Sequence, residues 1–320
     1  MSLNSPYLAG EPLDTGPAES PLAGPTAGPD VNGLPAGKPR SMLRLAAAVF
    51  AQNRLAVAGL IVVILLVLFC FAGPLVYHTD QVDVNLTNAA LRPGAGHPLG
   101  TDETGYDELG RLMVGGRVSL AIGFAAAAFA TALGTLWGAV SGFFGGTVDA
   151  FMMRILDALL AIPILFLLLF LVTVVRPSVT VMIVVLGLTA WLVPARLVRG
   201  ETLTLRVREY VQAVRVMGGT SWRAVLRHIV PNVAGTVIVN ATFQVADAIL
   251  LIAYLGYLGL GISPPATDWG GMLSNGTNFI FPDYWWLIYP PGLAIVVVVV
   301  AVNFVGDGLR DAVEVRLRRR

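Results

Sequence analysis

Asn240, Gln244 and Asp247 stand four and three residues apart inside an apolar run at 233–256. On a helix this spacing puts the three side chains on one face. A carboxylate surrounded by hydrocarbon is costly unless water, a cation or a hydrogen-bond donor meets it. Two kinds of chemistry fit. The face either makes an interhelical hydrogen bond or a pair with a neighbouring subunit, or it gives a solute pathway a polar lining in which Asp247 contacts an amine.

Catalytic chemistry has no comparable footing. His78, His97 and His228 are scattered, without zinc-ligand spacing. No G-x-x-x-x-G-K-[ST] cradle for phosphates occurs, so any ATP hydrolysis has to come from another chain. A G-x-S-x-G nucleophile turn is absent too. Cys70 is the single cysteine, which excludes a disulfide framework and a cysteine-based metal site. "GYLGLG", Gly256–Gly261, follows an apolar run and reads as a backbone bend rather than a nucleotide loop.

A second stretch, "EYVQAVRVMGGTSWRAVLRHIVPN" from Glu209 to Asn232, is basic and lies between apolar runs. Glu209–Met217 suits a helix. Gly218 and Gly219 break it, because glycine is poor inside a helix and adopts turn conformations cheaply. Thr220 or Ser221 caps a new helix near Trp222, and Pro231 stops or bends the chain as it re-enters the apolar phase. The small side chains at Ala213, Gly218 and Gly219 suit docking into a cleft of a soluble partner. The competing possibility is a basic helix lying on anionic lipid.

The elements that must position these residues follow from composition. The chain of 320 residues is 56% hydrophobic and 13% charged, with mean hydropathy +0.74; soluble domains are nearer a quarter charged. It is expected to be an all-α integral membrane protein. The net charge of +1 offers no field for nucleic acid. Residues 1–40, rich in Gly, Pro, Ser and Ala, read as a disordered tail rather than a signal peptide, and 41–54 as an amphipathic entry helix. Six stretches approach the length of about 20 residues that a span needs: 55–76, 117–142, 150–174, 178–197, 233–256 and 288–307. With both termini in the cytoplasm, 17 of the 21 basic residues fall inside, which fixes the expected orientation.

Smaller expectations attach to this frame. Ala126, Ala130, Gly134, Gly138 and Gly142 form a small-residue stripe for close helix packing, first within the chain and otherwise against another subunit. Arg154 and Asp157 are spaced for a pair. Trp269, Trp285 and Trp286 suit interfacial anchoring. Asp102, Glu103, Asp107 and Glu108 read as a solvated loop within reach of an external binding protein.

The basic stretch also resembles the signature loop of ABC importer permeases, E-A-A-x3-G-x9-I-x-L-P. Gln212, Ala213 and Val214 take the first three places, Gly218 the glycine, His228 the isoleucine, Val230 the leucine and Pro231 the proline. Gln for Glu and Val for Ala are departures that leave the turn intact. "QNRLAVAGL" (52–60), "HPLGTDETGYDELGRLMVGGRVSL" (97–120), "LGYLGLGISPPATDWGGML" (255–273) and "NFVGDGLRDAVEVRLR" (303–318) resemble, in order, blocks of the dipeptide/oligopeptide (peptide/nickel) subfamily, in its second-permease subunit. That subfamily usually carries a Glu near the place held here by Ile252.

The resemblance implies a type I ABC importer permease fold with six transmembrane helices in a bacterial plasma membrane. Residues 55–116 would be the first span and external loop, 117–307 a five-span core with a cytoplasmic coupling loop at 198–232, and 308–320 a basic tail. Tyr210, Gln212, Ala213, Gly218 and Gly219, with Ser221, Trp222 and Pro231, would form the coupling surface. The implied partners are a second homologous permease, two ATP-binding cassettes, an extracytoplasmic substrate-binding protein and membrane lipid. ATP and Mg²⁺ would sit on the cassettes, with no cofactor on this chain and no catalysis by it. Peptides are the implied cargo. The alternative is a stand-alone channel or membrane scaffold, which has no need of an ATPase-docking turn.

Overall fold

A computed structural model describes residues 42–175, 177–278 and 284–318. The tail at 1–40, expected to be disordered, lies outside them. Every regular element among the described residues is a helix. Besides short 3-10 and π-helical turns, the α-helices in chain order are α1 (Met42–Gln52), α2 (Arg54–Val76), α3 (Glu108–Phe144), α4 (Gly146–Leu160), α5 (Ile164–Val174), α6 (Val179–Ala190), α7 (Leu192–Leu205), α8 (Glu209–Val216), α9 (Ser221–Ala224), α10 (Val230–Tyr257), α11 (Trp269–Thr277) and α12 (Tyr289–Arg318).

α2 is apolar all round and buries only Ala56, Gly59 and Cys70 within the protein, as a lipid-facing span should. Asn53 starts it by accepting the Ala56 N–H. α2 packs closely on α12: a Cβ at Gly59 would meet the Ala301 carbonyl at 2.6 Å. α1 lies on the far half of α12, where the Asn53 side chain donates to Asp311 at 3.2 Å. α12 carries on through 308–318 as helix, so most of the expected tail is a continuation of the span.

α3, about 55 Å long at 1.5 Å per residue, is the spine. It starts on the Asp107 side chain, which accepts the Gly110 N–H, and ends at Gly145 with φ +66°. Its small-residue stripe packs inside the chain. Added Cβ atoms at Gly134 and Gly138 would collide with the carbonyls of Trp191, just ahead of α7, and of Ala195 within it. The helix backbones therefore touch, which in lipid supplies the contact that hydrophobicity cannot.

Six spans can be counted, but two are broken. α2, α3, the run 221–257 and α12 are long and apolar enough to cross a bilayer; α4 with α5 bends by 83° and α6 with α7 by 43°. The expected third span, 150–174, is thus not one helix. Pro163 opens α5 and leaves it 11 residues long, about 16 Å, roughly half the hydrocarbon thickness. The expected fourth span, 178–197, runs through the α6–α7 bend to Leu205.

The segment 77–107 is folded, and its acids correct the expectation of a solvated loop. Asp102, Asp107 and Glu108 are buried; around the two aspartates protein donors replace water. Asp102 accepts the N–H groups of Thr104 and Tyr106 and pairs with Arg111 Nε at 3.2 Å. Asp107 accepts from the Tyr77 hydroxyl and meets His97 Nδ1, both at 2.9 Å. Burial pushes the Glu103 carboxyl above its ordinary range. Two of the three tryptophans are not interfacial anchors either. Trp269 and Trp286 are each 1% exposed and donate their indole N–H to the carbonyls of Leu112 and Thr101; Trp285 alone is exposed. Asp268 opens α11, accepting from Gly271 and Ile262, and burial raises its pKa against the pull of those bonds.

Candidate functional site

Asn240, Gln244 and Asp247 do converge. They line a cavity of about 570 Å³ between the middle of α10, the α4–α5 bend and the α6–α7 bend. Most of the wall is hydrocarbon, from Leu159, Ile164, Leu192, Val193 and Leu251 among others. Both helix breaks open onto this space.

The three polar residues perform different tasks. Gln244 is buried, and its Nε2 donates to the Ala190 carbonyl at 2.8 Å. Pro194 stands four residues after Ala190, so the N–H that would bond this carbonyl within a helix does not exist. Gln244 supplies it from another helix. For this residue the interhelical role is the observed one. Asp247, in contrast, is exposed to the cavity and meets no hydrogen-bond or ion-pair partner among the described residues. Asn240 turns a buried Oδ1 to the same region, also without a partner. The Thr189 hydroxyl is occupied by the carbonyls of Val185 and Leu186.

At the opposite end of α7 lies the second candidate region. α8 closes in a backbone-satisfied turn: the Gly219 N–H donates to Val214 O at 2.8 Å and the Gly218 N–H to Arg215 O at 3.1 Å. This pairing requires a left-handed residue after the helix, and Gly218 provides φ +79°. Thr220, rather than Ser221, caps α9 by accepting the Arg223 N–H. Pro231 does not stop the chain. A π-helical turn at Val225–Ile229 precedes it, and the Val230 N–H reaches back to Val225 O, so helix runs on into α10 with proline in its first turn.

This knob is anchored on one side and bare on the other. Val211 is buried with Phe143, Val198, Ala224 and Ile229. Arg215 stacks its guanidinium 4.4 Å from the Phe143 ring, and Trp222 meets Phe144 edge-on. Tyr210, Gln212, Ala213, Gly218, Ser221, Trp222 and Pro231 are exposed, and Gly219 is half-buried. The Gln212 amide folds back to donate to the Val207 carbonyl. Val216 and Met217 are 87% and 79% exposed, an apolar patch of the kind that marks a docking surface.

Ion pairs lash α4 to α7 between the two regions. Arg199 grips Asp149 with Nε and Nη2, each bond 2.6 Å. Asp157 pairs with Arg196 at 2.6 Å, not with Arg154. The α3 stripe brings α7 beside α4, and across helices a guanidinium reaches a carboxylate that lies three residues along its own helix from Arg154.

Residues 134–319 match the profile of the binding-protein-dependent transport system inner membrane component, and 41–93 that of the N-terminal TM domain of oligopeptide transport permease C. The chain is 42% identical over 277 residues to the oligopeptide transport system permease protein OppC of Escherichia coli (strain K12), covering 86% of this chain and 91% of the relative. It is 40% identical over 270 residues to OppC of Bacillus subtilis (strain 168), covering 84% and 88%. With the dipeptide transport system permease protein DppC of the same organism it shares 37% over 268 residues, 84% of each chain. The profile match and these identities place the chain, a multi-pass inner-membrane permease subunit, in the family of binding-protein-dependent transport system inner membrane components.

Proposed function

We propose that this permease forms half of a translocation pathway for peptides and couples alternating access to ATP hydrolysis on two partner cassettes. The exposed knob at 209–222 carries the proposal. It is rigid by its own backbone bonds, apolar at its tip, and continuous through α7 with the bend that walls the cavity. Motion imposed on the knob reaches the cavity through contiguous structure. The names of the relatives support peptides as cargo. A stand-alone channel or scaffold gives no purpose to an exposed glycine-jointed knob, and family membership does not favour it.

In this scheme both termini and the knob face the cytoplasm, and 77–107 faces outward, where a substrate-binding protein delivers cargo. A second homologous permease completes the pathway. The chain itself is non-catalytic and binds no cofactor; ATP and Mg²⁺ sit on the cassettes. Purification in mild detergent should recover a second permease and an ATPase with this chain, and the reconstituted complex should take up peptides only with ATP. Solute flux through the purified chain alone would contradict the proposal.

A further inference from the structure

Asp247 is, among the described residues, the only Asp, Glu, Lys, Arg or His side chain in the wall of the 570 Å³ cavity. Among the described residues no hydrogen-bond donor or cation neutralises it. The arginines that α7 brings to this side of the molecule, Arg196 and Arg199, are held by Asp157 and Asp149. Gln244, one turn away, has committed its amide N–H to Ala190. The other polar side chains on the same face are Asn240, which lines the cavity and whose buried Oδ1 has no partner, and Tyr254, two turns beyond Asp247. Asp247 and Asn240 are seven residues apart, about 10 Å along a helix. An extended peptide covers this distance in about three residues.

We propose that Asp247 receives the ammonium group of a solute in transit while the Asn240 amide meets its backbone about three residues along. The selection rests on the cavity being part of the pathway. A carboxylate framed by hydrocarbon attracts a cation more strongly than the same group in bulk water, because the apolar walls displace part of the screening solvent. Cavity walls of leucine, isoleucine and valine meanwhile accept varied side chains without reading them. The permease would thus select for a charged amine and tolerate sequence, adding a filter behind whatever the delivery protein accepts.

The test uses the complete reconstituted importer, with a tripeptide and its N-acetyl counterpart each supplied as the saturated binding-protein complex. The readout is the ratio of their uptake rates, in wild type and in Asp247→Asn. The expected result is a wild-type preference for the free amine of about tenfold, the scale of a hydrogen bond to a charged group, which falls towards one in the variant. Equal slowing of both peptides would overturn ammonium selection while leaving the pathway intact. Loss of the second permease from the purified variant would make Asp247 a subunit contact and overturn it as well. The pathway itself is checked separately with Val193→Cys in a Cys70→Ala background. A bulky thiol reagent that labels this cavity position without blocking uptake would remove the premise.

Discussion

Two interruptions of helix in this chain are resolved in opposite ways. At Gly218 the break is exposed, and the backbone repairs it locally: Gly218 and Gly219 return their N–H groups to the last turn of α8. At Trp191 the break lies beside a cavity, and Pro194 leaves the Ala190 carbonyl for Gln244 to satisfy from α10. A locally repaired turn keeps its shape wherever it is pushed. A break held by a side chain from another helix ties two helices together and yields where that bond yields. The first suits a lever and the second a hinge, with α7 as the rod between them.

The largest expected effect comes from spoiling the local repair. Gly219→Val would drive a Cβ to 2.6 Å from Val214 Cγ1 and 2.7 Å from its carbonyl. ATP-driven uptake should fall by about 10²-fold, as when a positioned element shifts by about 1 Å, with the helical content of the complex retained by circular dichroism. Gly218→Ala meets no atom within 4 Å. It carries only the left-handed strain, about 1 kcal/mol, and should lower uptake far less.

The distant repair should show an interaction rather than a collapse. Gln244→Leu leaves the Ala190 carbonyl unpaired, at a cost of about 1–3 kcal/mol, measurable as earlier thermal unfolding in detergent. Pro194→Ala restores a backbone N–H four residues after Ala190, so the double variant should recover part of that loss. Strict additivity of the two changes would contradict the assignment of Gln244 as the substitute donor.

The smallest effects belong to the lashings. Arg199→Lys exchanges a two-pronged grip on Asp149 for a single ammonium contact and should cost about 1 kcal/mol. Asp157→Asn breaks a solvent-exposed pair and should cost less than about 0.5 kcal/mol. Both losses should shrink with added salt.

Much of the frame was readable before any coordinates. Apolar runs located α2, α3, α10 and α12 because each is bounded by polar or glycine-rich sequence. Periodicity put Asn240, Gln244 and Asp247 on one face, and the Gly218–Gly219 pair announced the turn. What escaped was decided between elements. Runs at 150–174 and 178–197 are apolar throughout, so composition hides their bends; Pro163 and Pro194 were the available signals. The partner of Gln244 is a carbonyl 54 residues away. Trp269 is buried against α3, and the burial of Trp286 and the 102–108 acids depends on how 77–107 folds against the α10–α12 connection. Asp157 found Arg196 rather than Arg154 for the same reason: a helix brought alongside competed with a neighbour in sequence.

The proposed lever is tested most directly by a cysteine at its tip. Met217→Cys in a Cys70→Ala background, placed in the assembled importer and treated with a short bifunctional thiol reagent, should cross-link to an ATP-hydrolysing chain, with the yield changing when ATP is added. Failure to capture such a chain in an importer that still takes up solute with ATP would contradict the account.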